Sequence, residues 1–386
     1  MNIFEGTSSY QGKRFAVVTI LPKFARKNEI QEKLESFDEF KELIKNLGGK
    51  IEQEIIQKRE RPDPSFFIGK GKAKELALKE NIDVIAFDSI LKTSQISNLR
   101  EITKKEVVDR EYVIIKIFAE RATTREGKLQ VELAELKYKM AKLIGIGKEM
   151  SQLGGVLGTR GPGETKTEEL KRHMLNRIRA IEKEIEDIRK TRFLHRERRK
   201  KEGFITFSLV GYTNVGKSTL LKTLSGEDVL IKDQLFTTLE TRIGKLKENS
   251  KILLSDTVGF IRNLPHSLIA AFKSTLEEVI FSDALIIVLD ISSDYEKQYQ
   301  TIRDVLDEIR VDKSKPYIIV FNKIDLVPKE KLIIAGEKFQ NAVFISAIYK
   351  TGIDNLKEKI IELAEKIEKG EIKEKVEEEK KSLIYL

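Results

Sequence analysis

Eight residues, Gly211-Tyr212-Thr213-Asn214-Val215-Gly216-Lys217-Ser218, restrict the fold of this chain more than any other stretch. They satisfy G-x-x-x-x-G-K-[ST], a loop whose backbone N–H groups close around phosphate oxygens. The chemistry needs a strand before the loop and a helix after it, because the helix N-terminus adds partial positive charge behind the phosphate. Both flanks comply. Phe204 to Val210 reads as a buried strand, and Ser218 to Leu224 opens a helix. Gly211 to Thr219 is therefore expected to wrap phosphates, with Lys217 reaching the β- and γ-groups and the Ser218 hydroxyl ligating Mg²⁺. Asn214 either supports the turn or offers its side-chain carbonyl to a monovalent cation such as K⁺.

Such a loop belongs to a doubly wound α/β domain with a mostly parallel sheet, expected over residues 202–369. Strands are read near Phe204–Val210, Thr241–Lys247, Ile252–Ser255, Leu285–Ile291, Tyr317–Phe321 and Val343–Ile345. Chemistry collects at their ends. Asn322-Lys323-Ile324-Asp325 is an N-K-x-D element, in which a carboxylate accepts from guanine N1–H and the exocyclic amine. A site built around those bonds rejects adenine by ~10⁴-fold or more. Asn322 would brace the base, the stem of Lys323 would cover it, and Ser346-Ala347 reads as the companion base-binding turn. Asp256-Thr257-Val258-Gly259 places a carboxylate for Mg²⁺ and a Gly259 N–H for the γ-phosphate. Thr238 is the expected switch threonine and third metal ligand, with Thr237 its near rival. Phe260 then stands where many switch GTPases carry a water-orienting glutamine, so slow hydrolysis without a partner is expected.

Residues 1–123 alternate strand-like and helix-like runs, predicting a small α/β subdomain with a mostly parallel sheet. Gly69-Lys70-Gly71-Lys72 reads either as a strand-to-helix turn or as a second phosphate contact. Residues 124–201 change pattern. Leu129, Leu133, Leu136, Met140 and Leu143 step by four and three, and Leu170 to Ile188 repeats the stripe. Two such helices joined by one loop lie antiparallel if they pack, roughly 35–50 Å long. The tip, 145–163, holds seven glycines and Arg160 and reads as a contact loop for a phosphate backbone or stacked bases, with a flexible connector between helices as the alternative. Arg189 to Lys201 carries eight basic residues in thirteen, either a solvated helix face or a patch for RNA. A charged tail, 370–386, follows.

Lys+Arg 71 against Asp+Glu 62 gives a net charge of +9, which permits a polyanionic partner. No cysteine means no disulfide and no thiolate metal site. Met1 to Lys13 has no apolar run, and Ala284 to Leu289 is too short to span a bilayer, so a cytoplasmic protein is expected, a monomer rather than an oligomer.

The combination Asp109-Arg110, Ile117 to Ala122, Thr124 to Ala134, Gly158 to Thr165 and Asp256 to Ile261 resembles HflX, a family of ribosome-associated GTPases. The resemblance spans roughly residues 10–370. It implies GTP-dependent binding to the large ribosomal subunit and its RNA, dissociation or rescue of stalled or idle ribosomes, and hydrolysis stimulated by the ribosome. It also implies that the glycine-rich loop reaches ribosomal RNA. Gly163-Glu164-Thr165-Lys166-Thr167-Glu168 departs from the family's usual G-E-T-Q-L-E. Two other classes stay open: a nucleotide-gated scaffold for a protein partner, and an ATP-driven RNA remodeller using the N-terminal domain.

Overall fold

Phe15 to Leu21 is apolar at nearly every position because the strand containing it is covered on both faces. In the computed structural model, which describes residues 9–153, 162–226, 242–257, 259–260 and 273–371, that strand is β1 (Arg14–Pro22). It lies between β2 (Lys50–Arg59) and β3 (Val84–Phe87), and β4 (Glu106–Asp109) closes the order β2-β1-β3-β4, all parallel. Helices α1 (Lys27–Asn46), α2 (Lys70–Ala77), α3 (Thr93–Thr103) and α4 (Arg110–Arg121) supply the crossovers that parallel pairs need. One core gathers Val18, Ile20, Ile68, Leu76, Phe87 and Leu99. Strand β2 is an edge strand, exposed at every other position.

Asp109 ends β4 and is fully buried. Its carboxylate caps α4 by accepting from the Tyr112 N–H at 3.0 Å and the Leu91 N–H at 3.2 Å. It also meets the Lys142 ammonium at 3.0 Å, from the next helix along the chain. Burial, with the Asp109 charge close by, pushes the Tyr138 hydroxyl well above its ordinary range. Arg110 turns the other way, to Asp88 at 2.5 Å and Glu39 at 2.7 Å. Removing one partner of a buried pair strands the other charge. Asp109→Ala is therefore expected to destabilise the fold by about 3–5 kcal/mol. Urea unfolding would read this as a lower midpoint at unchanged slope; a loss under about 1 kcal/mol would contradict it.

The two striped helices are α5 (Arg125–Leu153, 29 residues) and α6 (Pro162–Lys201, 40 residues). At 1.5 Å per residue they measure about 43 and about 60 Å. Arg125 pairs with Glu184 at 2.8 Å, and Arg177 forks onto Glu132 at 2.6 and 2.7 Å. The pairings run in opposite directions along the two helices, so they are antiparallel, with Leu129, Leu133, Ile178 and Ile181 buried. The reading of 145–163 as loop needs correction. Helix α5 continues past Gly145 and Gly147 to Leu153, and α6 already begins at Pro162. An isolated glycine costs a helix only about 1 kcal/mol, and proline suits a first helical turn. The centre of the glycine-rich stretch, with Arg160, lies outside the described residues, as does most of the tail.

The described residues divide into two compact units, one up to Glu186 and one from Asp187 onward. The division falls inside α6 rather than at its end. In the second unit the sheet order is β10-β9-β8-β5-β7-β6. These are β5 (Ile205–Gly211), β6 (Arg242–Leu246), β7 (Asn249–Asp256), β8 (Ala284–Asp290), β9 (Tyr317–Asn322) and β10 (Val343–Phe344). All pairs are parallel except β6 with β7. Helices α7 (Lys217–Ser225), α8 (Lys273–Phe281), α9 (Tyr295–Glu308), α10 (Lys329–Lys338) and α11 (Ile353–Glu368) complete it. Among the described residues no helix is long and apolar enough to cross a membrane.

Candidate functional site

Strands β5, β7, β8 and β9 end on Gly211, Asp256, Asp290 and Asn322. A parallel sheet puts those four carboxyl ends on one side, where ligands of such sheets bind. A cavity of about 1030 Å³ opens there, and it brings together residues far apart in sequence. Thr213, Asn214, Gly216, Lys217, Ser218 and Thr219 line one part; Asn322, Lys323, Asp325, Ser346 and Ala347 line another.

The loop between β5 and α7 takes its shape from glycine. Gly216 has φ +94, and a Cβ there would sit 2.3 Å from Asn322 Nδ2. Asn214 also has positive φ, +61, and is exposed to the cavity. Lys217 Nζ donates to the Gly211 carbonyl at 3.0 Å and the Tyr212 carbonyl at 2.7 Å. Burial pulls its pKa down to about 8, against a smaller upward pull from Asp256. The Ser218 hydroxyl donates to Asp256 Oδ2 at 2.7 Å. A hydroxyl and a carboxylate converging at the mouth of a phosphate loop are hard oxygen donors, which suits Mg²⁺. Among the described residues no cluster of three acidic or histidine side chains forms a self-sufficient metal cage.

Asn322 ties the two halves together. Its Nδ2 donates to the Val215 carbonyl at 2.8 Å, and its Oδ1 accepts from the Ala347 N–H at 2.9 Å. Asp325 is exposed on the cavity wall, its carboxylate available to a base. Two contacts escaped sequence reasoning. Asp290 pairs with Lys323 at 2.7 Å, setting the stem that flanks the base position. Thr223 donates to the Ala347 carbonyl at 3.2 Å, joining α7 to the base turn. The only signal for Asp290 was a carboxylate closing an apolar strand beside the N-K-x-D strand.

Gly259 and Phe260 lie directly against the phosphate loop. Phe260 N–H donates to the Gly211 carbonyl at 3.0 Å, and Thr213 N–H to the Phe260 carbonyl at 2.8 Å. A Cβ on Gly259 would meet Thr213 Cα at 2.8 Å, so only glycine allows this approach. The Phe260 ring is buried, at 1% exposure, and presents no polar atom to the cavity. Thr257 donates to the Leu209 carbonyl at 2.7 Å and is spent on the fold. Thr237, Thr238 and Val258 lie outside the described residues.

At Gly69–Lys72, the Gly69 N–H already donates to Gln57 at 3.1 Å and Lys72 pairs with Glu75 at 2.9 Å. These contacts are those of a helix start. The basic run before Gly203 is also partly committed: Arg189 and Arg196 pair with Glu277 and Glu278, each at 2.7 Å.

Three family models match the chain: GTP-binding GTPase N-terminal over 34–119, GTP-binding GTPase middle region over 121–199, and 50S ribosome-binding GTPase over 206–323. The GTPase HflX of Caldanaerobacter subterraneus subsp. tengcongensis is 43% identical over 332 residues, 84% of this chain and 76% of that protein. The GTPase HflX of Escherichia coli K12 is 38% identical over 331 residues, 84% of this chain and 78% of that one. Among solved structures, SsGBP in complex with GDP aligns with a TM-score of 0.50 at 28% identity, covering 92% of this chain and 99% of that one.

Proposed function

We propose, for a chain that belongs to the HflX family of GTPases and hydrolyses GTP, that its working site is the large ribosomal subunit. In this reading the protein binds the subunit and its RNA in the GTP state, promotes dissociation or rescue of stalled or idle ribosomes, and leaves after hydrolysis. The observation that carries it is Phe260. Its ring is sealed in the core where a water-orienting side chain would be wanted, so among the described residues the catalytic arrangement is incomplete, and a partner or a repositioned loop completes it. The match over 206–323 to a 50S ribosome-binding GTPase supports the choice of partner.

Each residue then takes a role. Amides of Gly211 to Thr219 hold the phosphates, Lys217 offsets charge on the β- and γ-groups, and the Gly259 N–H meets the γ-phosphate. Ser218 and Asp256 would hold Mg²⁺, with Thr238 as the third ligand. When bound, that ion offsets phosphate charge. Asp325 reads guanine, while Asn322, Lys323, Ser346 and Ala347 seat the base.

Purified large subunits are expected to raise kcat for GTP about a thousandfold or more, in the range of partner-supplied stimulation in other GTPases. A partner-free rate equal to the stimulated one would end the proposal. Binding should weaken steeply with added salt if RNA phosphates are the contact; a flat response favours a protein partner instead.

Asn214 is proposed to offer its carbonyl to K⁺ beside the phosphates, since its positive φ turns it into the cavity mouth without using it in the fold. Hydrolysis should run faster in potassium than in sodium buffer, and Asn214→Ala should erase the difference. Equal rates in both buffers would leave Asn214 as a turn residue.

A further inference from the structure

Helix α8 follows the Asp256–Gly259 loop in sequence and is held by buried charges. Glu277 and Glu278 are buried at 2% and 5% exposure. Glu277 meets Arg189 at 2.7 Å, Arg192 at 3.7 Å and Arg196 at 4.0 Å. Glu278 takes Arg196 at 2.7 Å, and that guanidinium lies 4.6 Å over the Phe281 ring. The three arginines step by three and four, so they share one face of α6. Behind the helix, buried Lys315 donates to the carbonyls of Val279, Ile280 and Ser282 at 3.1, 2.7 and 2.5 Å. Ser208, on the strand that carries the phosphate loop, donates to the Glu278 carbonyl at 2.9 Å.

An apolar interface tolerates small slides, whereas a buried ladder of ion pairs does not. Two carboxylates this deep are stable only while the arginines face them. A shift of α8 by part of a turn would unpair them, and the next register lies a whole turn of about 5.4 Å away. The ladder therefore has discrete states.

We propose that Glu277 and Glu278 are positioning residues for GTP hydrolysis, tying the Asp256–Gly259 loop through α8 to the basic face of α6. Nucleotide state at Gly259 then sets the pairing of Arg189, Arg192 and Arg196. This rests on the reading of Gly259 as the γ-phosphate contact. It also gives three of the eight basic residues in that run an internal duty that a solvated or RNA-binding face would not have.

Hydrogen exchange on the full chain with GDP and with a non-hydrolysable GTP analogue separates the two readings. Amides of 273–281 and of 187–201 are expected to change together. No change at 273–281 overturns the switch reading and the linkage with it. A change at 273–281 that leaves 187–201 unaltered overturns the linkage alone. In steady state, Glu277→Gln and Arg189→Gln should each lower kcat about tenfold with KM for GTP within about twofold, and the double variant should lose little more. Additive losses, or a rise in KM at constant kcat, would mean that the ladder is merely structural. Should Glu277→Gln fail to fold, the exchange data on the wild type and Arg189→Gln still decide.

Discussion

Lys217→Ala is expected to lower kcat/KM for GTP about a thousandfold, the scale on which a single preorganised charge in a dry site acts. The ammonium is already oriented by two loop carbonyls, at 3.0 and 2.7 Å, and needs no reorganisation when phosphates arrive. Its pH behaviour gives a second readout. Burial pulls the pKa to about 8 from the 10.5 of an exposed lysine. Free protein therefore loses the charge as pH rises through 8, while bound phosphates hold the proton on. Binding above that pKa must take up a proton, so the Kd for GDP should be flat below pH 8. Above it, Kd should rise by up to about tenfold per unit. Calorimetric titration from about pH 7 to about pH 9 would show the slope in the wild type and its loss in Lys217→Ala. A variant within tenfold of wild-type kcat/KM would remove Lys217 from the reaction.

How much of this was legible beforehand depends on how far apart the interacting residues are. The phosphate loop is local: strand, glycines, lysine and helix all lie within about twenty residues, so spacing alone places Lys217 and Ser218. Asn322 and Asp325 are local in the same sense, and their meeting with the loop follows from strand order in a parallel sheet. The role of Asp109 was not legible, because its buried partner Lys142 lies 33 residues away in a helix whose sequence pattern shows only an apolar stripe. Nor was the duty of Arg189 to Arg196. A run of arginines reads as a solvated or nucleic-acid face until its carboxylates are found, and Glu277 and Glu278 come some eighty residues later. The extension of α5 to Leu153 failed for a different reason. Glycine count suggested a loop, whereas two isolated glycines are a modest tax on a long, otherwise helix-forming segment.

Asp325→Asn is expected to raise the Kd for GDP by about a thousandfold or more, the range in which sites built on donor–acceptor pairs reject a mismatch. In the proposed complex the carboxylate accepts from both guanine N1–H and the exocyclic amine. An amide presents an acceptor on one atom and an N–H on the other, so one of the two base donors faces a donor. Replacing the exocyclic amine by a carbonyl, as in xanthosine diphosphate, restores the match and should recover most of the affinity in the variant alone. That crossover separates a lost contact from a damaged site, because damage would weaken both nucleotides. The geometry predicts that damage is small. Asp325 is exposed on the cavity wall, whereas Asn322 beside it bonds Val215 and Ala347 and holds the loop and the base turn together. Asn322→Ala should thus weaken both diphosphates without any crossover. If Asp325→Asn behaves the same way, the base is read elsewhere.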